Sequence, residues 1–191
     1  KTILESAFGP QHPELGRVFT NRGIALQRLK RPEDALASFT RGLEIRRAAL
    51  GPEHPAVALS QNNLADALMQ VGRHEEALPH LRDALGIWTR SQGEDSPQLL
   101  VGLTTFVEAQ LALGRPEDAM AAVRRGLAIA ERMKHDPEHV AGFRFVAAQC
   151  LWHREADRGE AVQLARKALR GLESLDAARE EPIAEVRSWL A

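Results

Sequence analysis

Between residues 77 and 88, Ala77, Leu81, Ala84, Leu85 and Trp88 form an apolar series spaced i, i+4, i+7, i+8 and i+11. That spacing marks one face of an α-helix. Glu75-Glu76 precedes the stripe, and Glu33-Asp34 and Glu117-Asp118 open two others, where negative charge favours the positive end of the helix dipole. A second type of helix opens at Pro13, Pro55 and Pro97, each following His or Ser. Proline suits the first helical turn because the N–H it lacks would be unpaired there. This helix is expected to run to about Val71 in the second copy and to stop at Gly72-Arg73, where glycine supplies a left-handed cap. A one-sided stripe cannot be buried within one two-helix hairpin, so neighbouring hairpins must stack.

The hairpins recur every 42 residues, as Gly9, Gly51 and Gly93 show, with Pro13, Pro55 and Pro97 keeping the same step. Ala35, Ala77, Ala119 and Ala161 form one column, and Leu43, Leu85, Leu127 and Leu169 another. A column of small residues runs Gly42, Ala84, Gly126 and Ala168. Another begins with Gly23 and Ala65, but the period places Val107 and Gln149 in its last two slots. A large-residue column reads Phe39, Leu81, Val123 and Ala165. The period divides the chain into a tail of a preceding repeat helix (1–9) and repeats at 10–50, 51–92, 93–134 and 135–176, the last degenerate. Residues 177–191 read as a capping helix, with Ile183, Val186 and Leu190 on one face and Trp189 beside it. Aligned by the period, TILESAFG falls on EIRRAALG, so the chain is expected to begin inside a repeat whose first helix it lacks.

These columns of small residues at helix crossings resemble the tetratricopeptide repeat family. The unit of 42 residues, with GPEHP followed by NNLADAL, is similar to the kinesin-light-chain class of such repeats. The proline that usually ends the second helix is replaced by Arg47, Thr89, Glu131 and Glu173, which lets that helix continue and lengthens the unit. The resemblance implies an all-α fold, a right-handed superhelical solenoid of antiparallel hairpins with about four repeats and a C-terminal cap. The run from Phe143 to Leu190 also looks like tetratricopeptide regions attached to bacterial Ser/Thr protein kinases, though no kinase motif lies in the chain.

Composition agrees with an all-α chain: Ala, Leu, Arg and Glu dominate and Tyr is absent. The 25 basic and 26 acidic residues leave a formal charge of −1, which gives no general attraction to nucleic acid or anionic membrane. A single cysteine, Cys150, excludes an internal disulfide framework and fits a reducing compartment. With no signal-peptide pattern and no apolar run long enough to span a bilayer, a cytoplasmic location is expected.

Candidate chemistry is sparse. His12 and His54 stand one period apart, and equivalent positions of packed helices are about 10 Å apart. Ligands of one ion must each come within about 2 Å of it, so a turn and helix-start role is expected instead. His135 and His139 have i, i+4 spacing, but Pro137 intervenes and no third ligand is nearby. Cys150 and His153 could be neighbours on a helix, yet nothing supplies an oxyanion site or an orienting group. No metal, cofactor or enzymatic activity is expected.

The resemblance implies that the first helices line a concave groove for a peptide or helical segment of a protein partner. By register its residues would be Arg17, Asn21 and Arg28; Asn62, Asn63, Asp66 and Gln70; Thr104, Thr105 and Glu108; and His153 and Arg154. Asn21 and Asn63 hold equivalent slots, and an amide both donates and accepts, as a peptide main chain requires. The family's carboxylate clamp is not expected, because its slots hold Val101 and Thr105. The alternative role is a regulatory segment that packs against a catalytic domain of a larger protein, a bacterial Ser/Thr kinase for example, or one that self-associates through an exposed N-terminal end.

Overall fold

The computed structural model describes residues 9, 12–94, 96–132, 137–175 and 180–191. Among these the backbone is helical and forms no strand. In the first half the helices are α1 (Pro13–Arg28), α2 (Pro32–Leu50), α3 (Pro55–Gln70) and α4 (His74–Gln92). Next come α5 (Pro97–Ala112), α6 (Pro116–Arg132) and α7 (Pro137–Trp152). A 3-10 turn (Glu155–Asp157), α8 (Arg158–Glu173) and α9 (Glu180–Leu190) complete the chain. Two compact units result, Lys1–Gly93 and Glu94–Ala191. In the first, α1 pairs with α2 and α3 with α4, while α2 also packs on α3. In the second, α5 pairs with α6 and α7 with α8; α7 touches both α5 and α6, and α9 packs on α8. Of the expected tail of a preceding helix, residues 1–9, all but Gly9 lies outside the described residues, as does His135.

The histidines of the two Gly-Pro-x-His-Pro phrases are helix caps. Nδ1 of His12 accepts from the Glu14 amide at 3.3 Å, and Nδ1 of His54 from the Ala56 amide at 3.1 Å. A neutral ring nitrogen thus does what a hydroxyl or carboxylate oxygen usually does at this position. At α5 the residue before the proline is Ser96, whose hydroxyl instead donates to the Gln98 side chain at 2.7 Å. The glycine that opens each phrase is required by its backbone. Gly51 has φ 83° and ψ 158°, and Gly93 has φ 84° and ψ 176°, a region essentially restricted to glycine.

At the first two crossings the core is built by exchange of bulk between facing slots. A methyl group on Gly23 of α1 would come within 2.6 Å of the Phe39 ring of α2. By register the corresponding pairs are Ala65 with Leu81, Val107 with Val123 and Ala147 with Ala165, all of them buried. Glycine accompanies phenylalanine, alanine accompanies leucine, and two valines share the third crossing. Val107 is therefore a compensated member of its column.

Gln149 is not in that column, contrary to the register expected from the period. Helix α7 begins at Pro137, 40 residues after Pro97, whereas α8 keeps the 42-residue step from Pro116 to Arg158. The slack is absorbed between them. Residues 153–157 join α7 to α8, where residues 29–31, 71–73 and 113–115 join the other hairpins. The shift puts Ala147, fully buried, at the crossing and leaves Gln149 half-exposed.

Two measurements test these assignments. His54→Ala should lower unfolding stability by about 1 kcal/mol, the scale of a lost side-chain cap, while His54→Ser should restore most of it. Denaturant titration of the three proteins reads this, and equal midpoints would refute the capping role. In the second unit, a methyl group on Gly126 would overlap the ring of buried Phe143, whereas one on Gly142 meets nothing within 4 Å. Gly126→Ala should therefore destabilise by about 1–3 kcal/mol through overpacking. Gly142→Ala, within helix α7, should instead stabilise by about 0.5–1 kcal/mol. Thermal midpoints moving in the same direction would contradict this packing.

Candidate functional site

The exposed face of α1 carries Arg17, Asn21, Ile24 and Arg28, at i, i+4, i+7 and i+11. Asn21 and Arg28 line one shallow hollow with Ile24, Ala25 and Leu29. Arg17 reaches Glu14 at 2.7 Å. One period later the same face of α3 presents Leu59, Asn63, Asp66 and Gln70. Leu59 and Gln70 are exposed, while Asn63 and Asp66 are half-buried.

Asn62 does not join this surface. Adjacent residues lie about 100° apart around a helix, so Asn62 and Asn63 cannot face the same way. Asn62 is 3% exposed; its amide donates to Asp66 at 3.3 Å and its carbonyl oxygen has no hydrogen-bond partner. The same geometry separates the paired threonines of α5. Thr105 is buried, with its hydroxyl 3.5 Å from the Val101 carbonyl, whereas Thr104 is half-exposed and donates to Leu100 O at 2.9 Å. His153 and Arg154 were expected on a first helix but fall in the turn beyond α7, because that helix starts early and ends at Trp152. Arg154 is occupied there, 3.1 Å from Asp157 and 3.7 Å from Glu117.

Thr104 and Glu108 border a cavity of about 240 Å³ within the second unit, formed by α5, α7, α8 and α9. Its lining includes the buried side chains of Phe145, Val146, Leu172 and Val186. Glu108, Glu138 and Glu185 also line it, and among the described residues no Lys, Arg or His does. Aromatic contacts hold α9 in place beside it. The Trp189 ring meets Phe145 edge-on at 6.0 Å and Trp152 at 5.2 Å, and Arg158 stacks over Trp152 at 5.3 Å. The sequence marked Trp189 as part of a cap, but nothing in it placed Glu138 and Glu185 beside Glu108. That juxtaposition follows from the shifted start of α7 and the seat of α9.

A polar chain running from buried Gln61 to half-buried His80 and exposed Asp83 links α3 and α4 in the first unit. Nδ1 of His80 donates to Gln61 Oε1 at 2.5 Å, and the Gln61 amide donates to Asp83 at 3.1 Å. Burial holds the His80 imidazole below its ordinary pKa, and the Asp83 carboxylate partly opposes that shift. Arg46, also buried, donates to the Ser60 hydroxyl at 2.7 Å and tethers α2 to α3. These groups join helices to one another. Cys150 is fully buried, and its thiol donates to Pro116 O at 3.3 Å instead of meeting His153. Burial first, and then Glu117, raise its pKa to about 11. Among the described residues no group of three His, Cys, Asp or Glu side chains could hold a metal ion. No helix among them is long and apolar enough to cross a membrane.

Comparison with known proteins places this geometry. A family model described as tetratricopeptide repeat matches residues 16–85 and 56–132. The crystal structure of BtubC (BKLC) from P. vanneervenii aligns with a TM-score of 0.77 at 20% identity, over 90% of this chain and 68% of that one. A Podosopora anserina protein of the kinesin light chain type, with nearly identical TPR-like repeats, aligns with a TM-score of 0.74 at 19% identity. That alignment covers 94% of this chain and 85% of the other. At these identities the likeness is one of fold. No protein of curated function matches the sequence significantly.

The state of Cys150 can be measured directly. A rise from 9.0 to about 11 lowers the thiolate fraction about a hundredfold near neutral pH, where only the thiolate is nucleophilic. Alkylation by iodoacetamide at pH 8 should be at least that much slower in the folded protein than in denaturant. Comparable rates would show that the thiol is accessible.

Proposed function

The chain belongs to the tetratricopeptide repeat family, and on that basis we propose that it is a binding module that grips an extended or helical segment of a partner protein on the exposed faces of its first helices. Repeats of this family generally mediate protein–protein interaction. One observation carries the finer proposal: Asn21 and Asn63 occupy equivalent places on α1 and α3, each accessible and each on a stripe of polar and apolar groups. Amides repeated one period apart can pair with successive peptide groups of a bound main chain, both donating and accepting. The flanking Ile24 and Leu59, 38% and 45% exposed, offer apolar contacts for the side chains of that segment. Arg17, Arg28, Asp66 and Gln70 lie on the same stripes and set its polar character. Within the second unit, taken by itself, Thr104 and Glu108 of α5 are proposed for the same kind of contact. Asn62 and Thr105 have no part in it because they are buried, nor do His153 and Arg154, which lie off the helix. The polar groups of these faces serve recognition, and no chemical step is proposed for them.

A peptide selected from a displayed random library against the intact chain provides the probe. The double variant Asn21→Ala/Asn63→Ala should bind that peptide at least tenfold more weakly while unfolding at an unchanged temperature. Undiminished affinity in the folded variant would sink the assignment and favour a role for the chain within a larger protein.

A further inference from the structure

We propose that the cavity between α5, α7, α8 and α9 is an arginine-binding subsite, which seats one arginine side chain of the partner segment. The proposal rests on the binding-module reading and names the chemistry that reading leaves open in the second unit. At about 240 Å³ the cavity is smaller than the roughly 300–1,000 Å³ of typical small-molecule sites, and it suits a single large side chain. Its two kinds of lining residue make opposite demands. Phe145, Val146, Leu172 and Val186 are all less than a tenth exposed and present an apolar floor. Glu108 and Glu185 are exposed and Glu138 half-buried, so three carboxylates stand where the cavity meets solvent. A purely apolar side chain would satisfy the floor and leave the carboxylates without a gain. A compact cation would satisfy the carboxylates and leave the floor wet.

Arginine meets both demands. Its three-methylene stem packs along apolar surface while its head stays at the polar edge. The planar guanidinium carries five donors in a fork matched to carboxylates, and it is more weakly hydrated than an ammonium group. Glu108 and Glu138 already take part in interactions within the chain. A carboxylate has about four lone-pair sites, so each can accept a further donor. Among the described residues that line the cavity there is no Lys, Arg or His. Carboxylates at the mouth would also attract a basic segment and repel an acidic one, contributing to selection at encounter.

Three synthetic peptides of one sequence test the proposal, each with a single leucine-flanked position occupied by Arg, Gln or Glu. Affinity is read by fluorescence anisotropy and location by amide chemical shifts of the intact chain. The Arg peptide should bind at least tenfold more tightly than the Gln peptide, and the Glu peptide more weakly still. Its shifts should centre on Thr104, Glu108, Gly142 and Glu185, and its affinity should fall as salt is raised. Glu185→Lys on α9 and Glu108→Lys on α5 should each cost tenfold or more with unchanged thermal unfolding. Two exposed positions on different helices keep the test valid if one variant misfolds. Equal binding of the Arg and Gln peptides overturns the inference, as do shifts centred elsewhere or no binding of the Arg peptide. If the cavity fails in any of these ways while Asn21→Ala/Asn63→Ala still weakens the library-selected peptide, the binding-module reading stands and only the arginine subsite falls. If the Arg peptide fills the cavity while the asparagine variant retains full affinity, the arginine subsite stands and the amide ladder falls.

Discussion

Two antiparallel helices approach only as closely as the side chains at their crossing permit, and this chain meets that limit by trading volume between facing slots. At the first crossing, the absence of a side chain on Gly23 makes room for Phe39. Ala65 faces Leu81 by register, and Val107 faces Val123. Interiors are packed as densely as organic crystals, so bulk added on one helix must be removed from the other. The exposed stripes, and hence any binding surface, inherit their placement from this constraint. A helix whose crossing residue is chosen has its rotation chosen too.

The polar residues are fitted into that frame more economically than their chemistry suggests. His12 and His54 spend their Nδ1 atoms on backbone amides at the starts of α1 and α3. His80 is committed to Gln61, and Cys150 to a carbonyl of the neighbouring hairpin. Each is a group that catalysis could use, and each is engaged in a hydrogen bond within the fold. A buried polar group without such a partner is costly, which gives these pairings a structural purpose.

The first helices therefore offer different surfaces in the two units. On α1 and α3 the exposed stripes mix amides, charges and single apolar residues. In the second unit the corresponding helices enclose an apolar cavity edged by carboxylates, with α9 as one wall. In the proposed mode of binding, the first surface recognises main chain and the second recognises one side chain.

Helix type, hairpin order and the crossing columns were legible in the sequence because each depends on residues close together or on a strict period. Ala35, Ala77, Ala119 and Ala161 are all fully buried, as their column implies. Glycine at positions 51 and 93 reflects a local backbone demand, also readable one residue at a time. Individual site residues were less legible. Period alone could not say which of Asn62 and Asn63 faces out, since that depends on helix rotation against a partner. Nor could it show that α7 slides two residues out of step, removing His153 and Arg154 from the helix and bringing Ala147 to the crossing. The sequence by itself determined the repeated hairpin, because local propensity and periodicity are properties of the chain. Only the tertiary structure decided which polar groups remain at the surface and that Glu108, Glu138 and Glu185 share one cavity, because those depend on how separate helices pack.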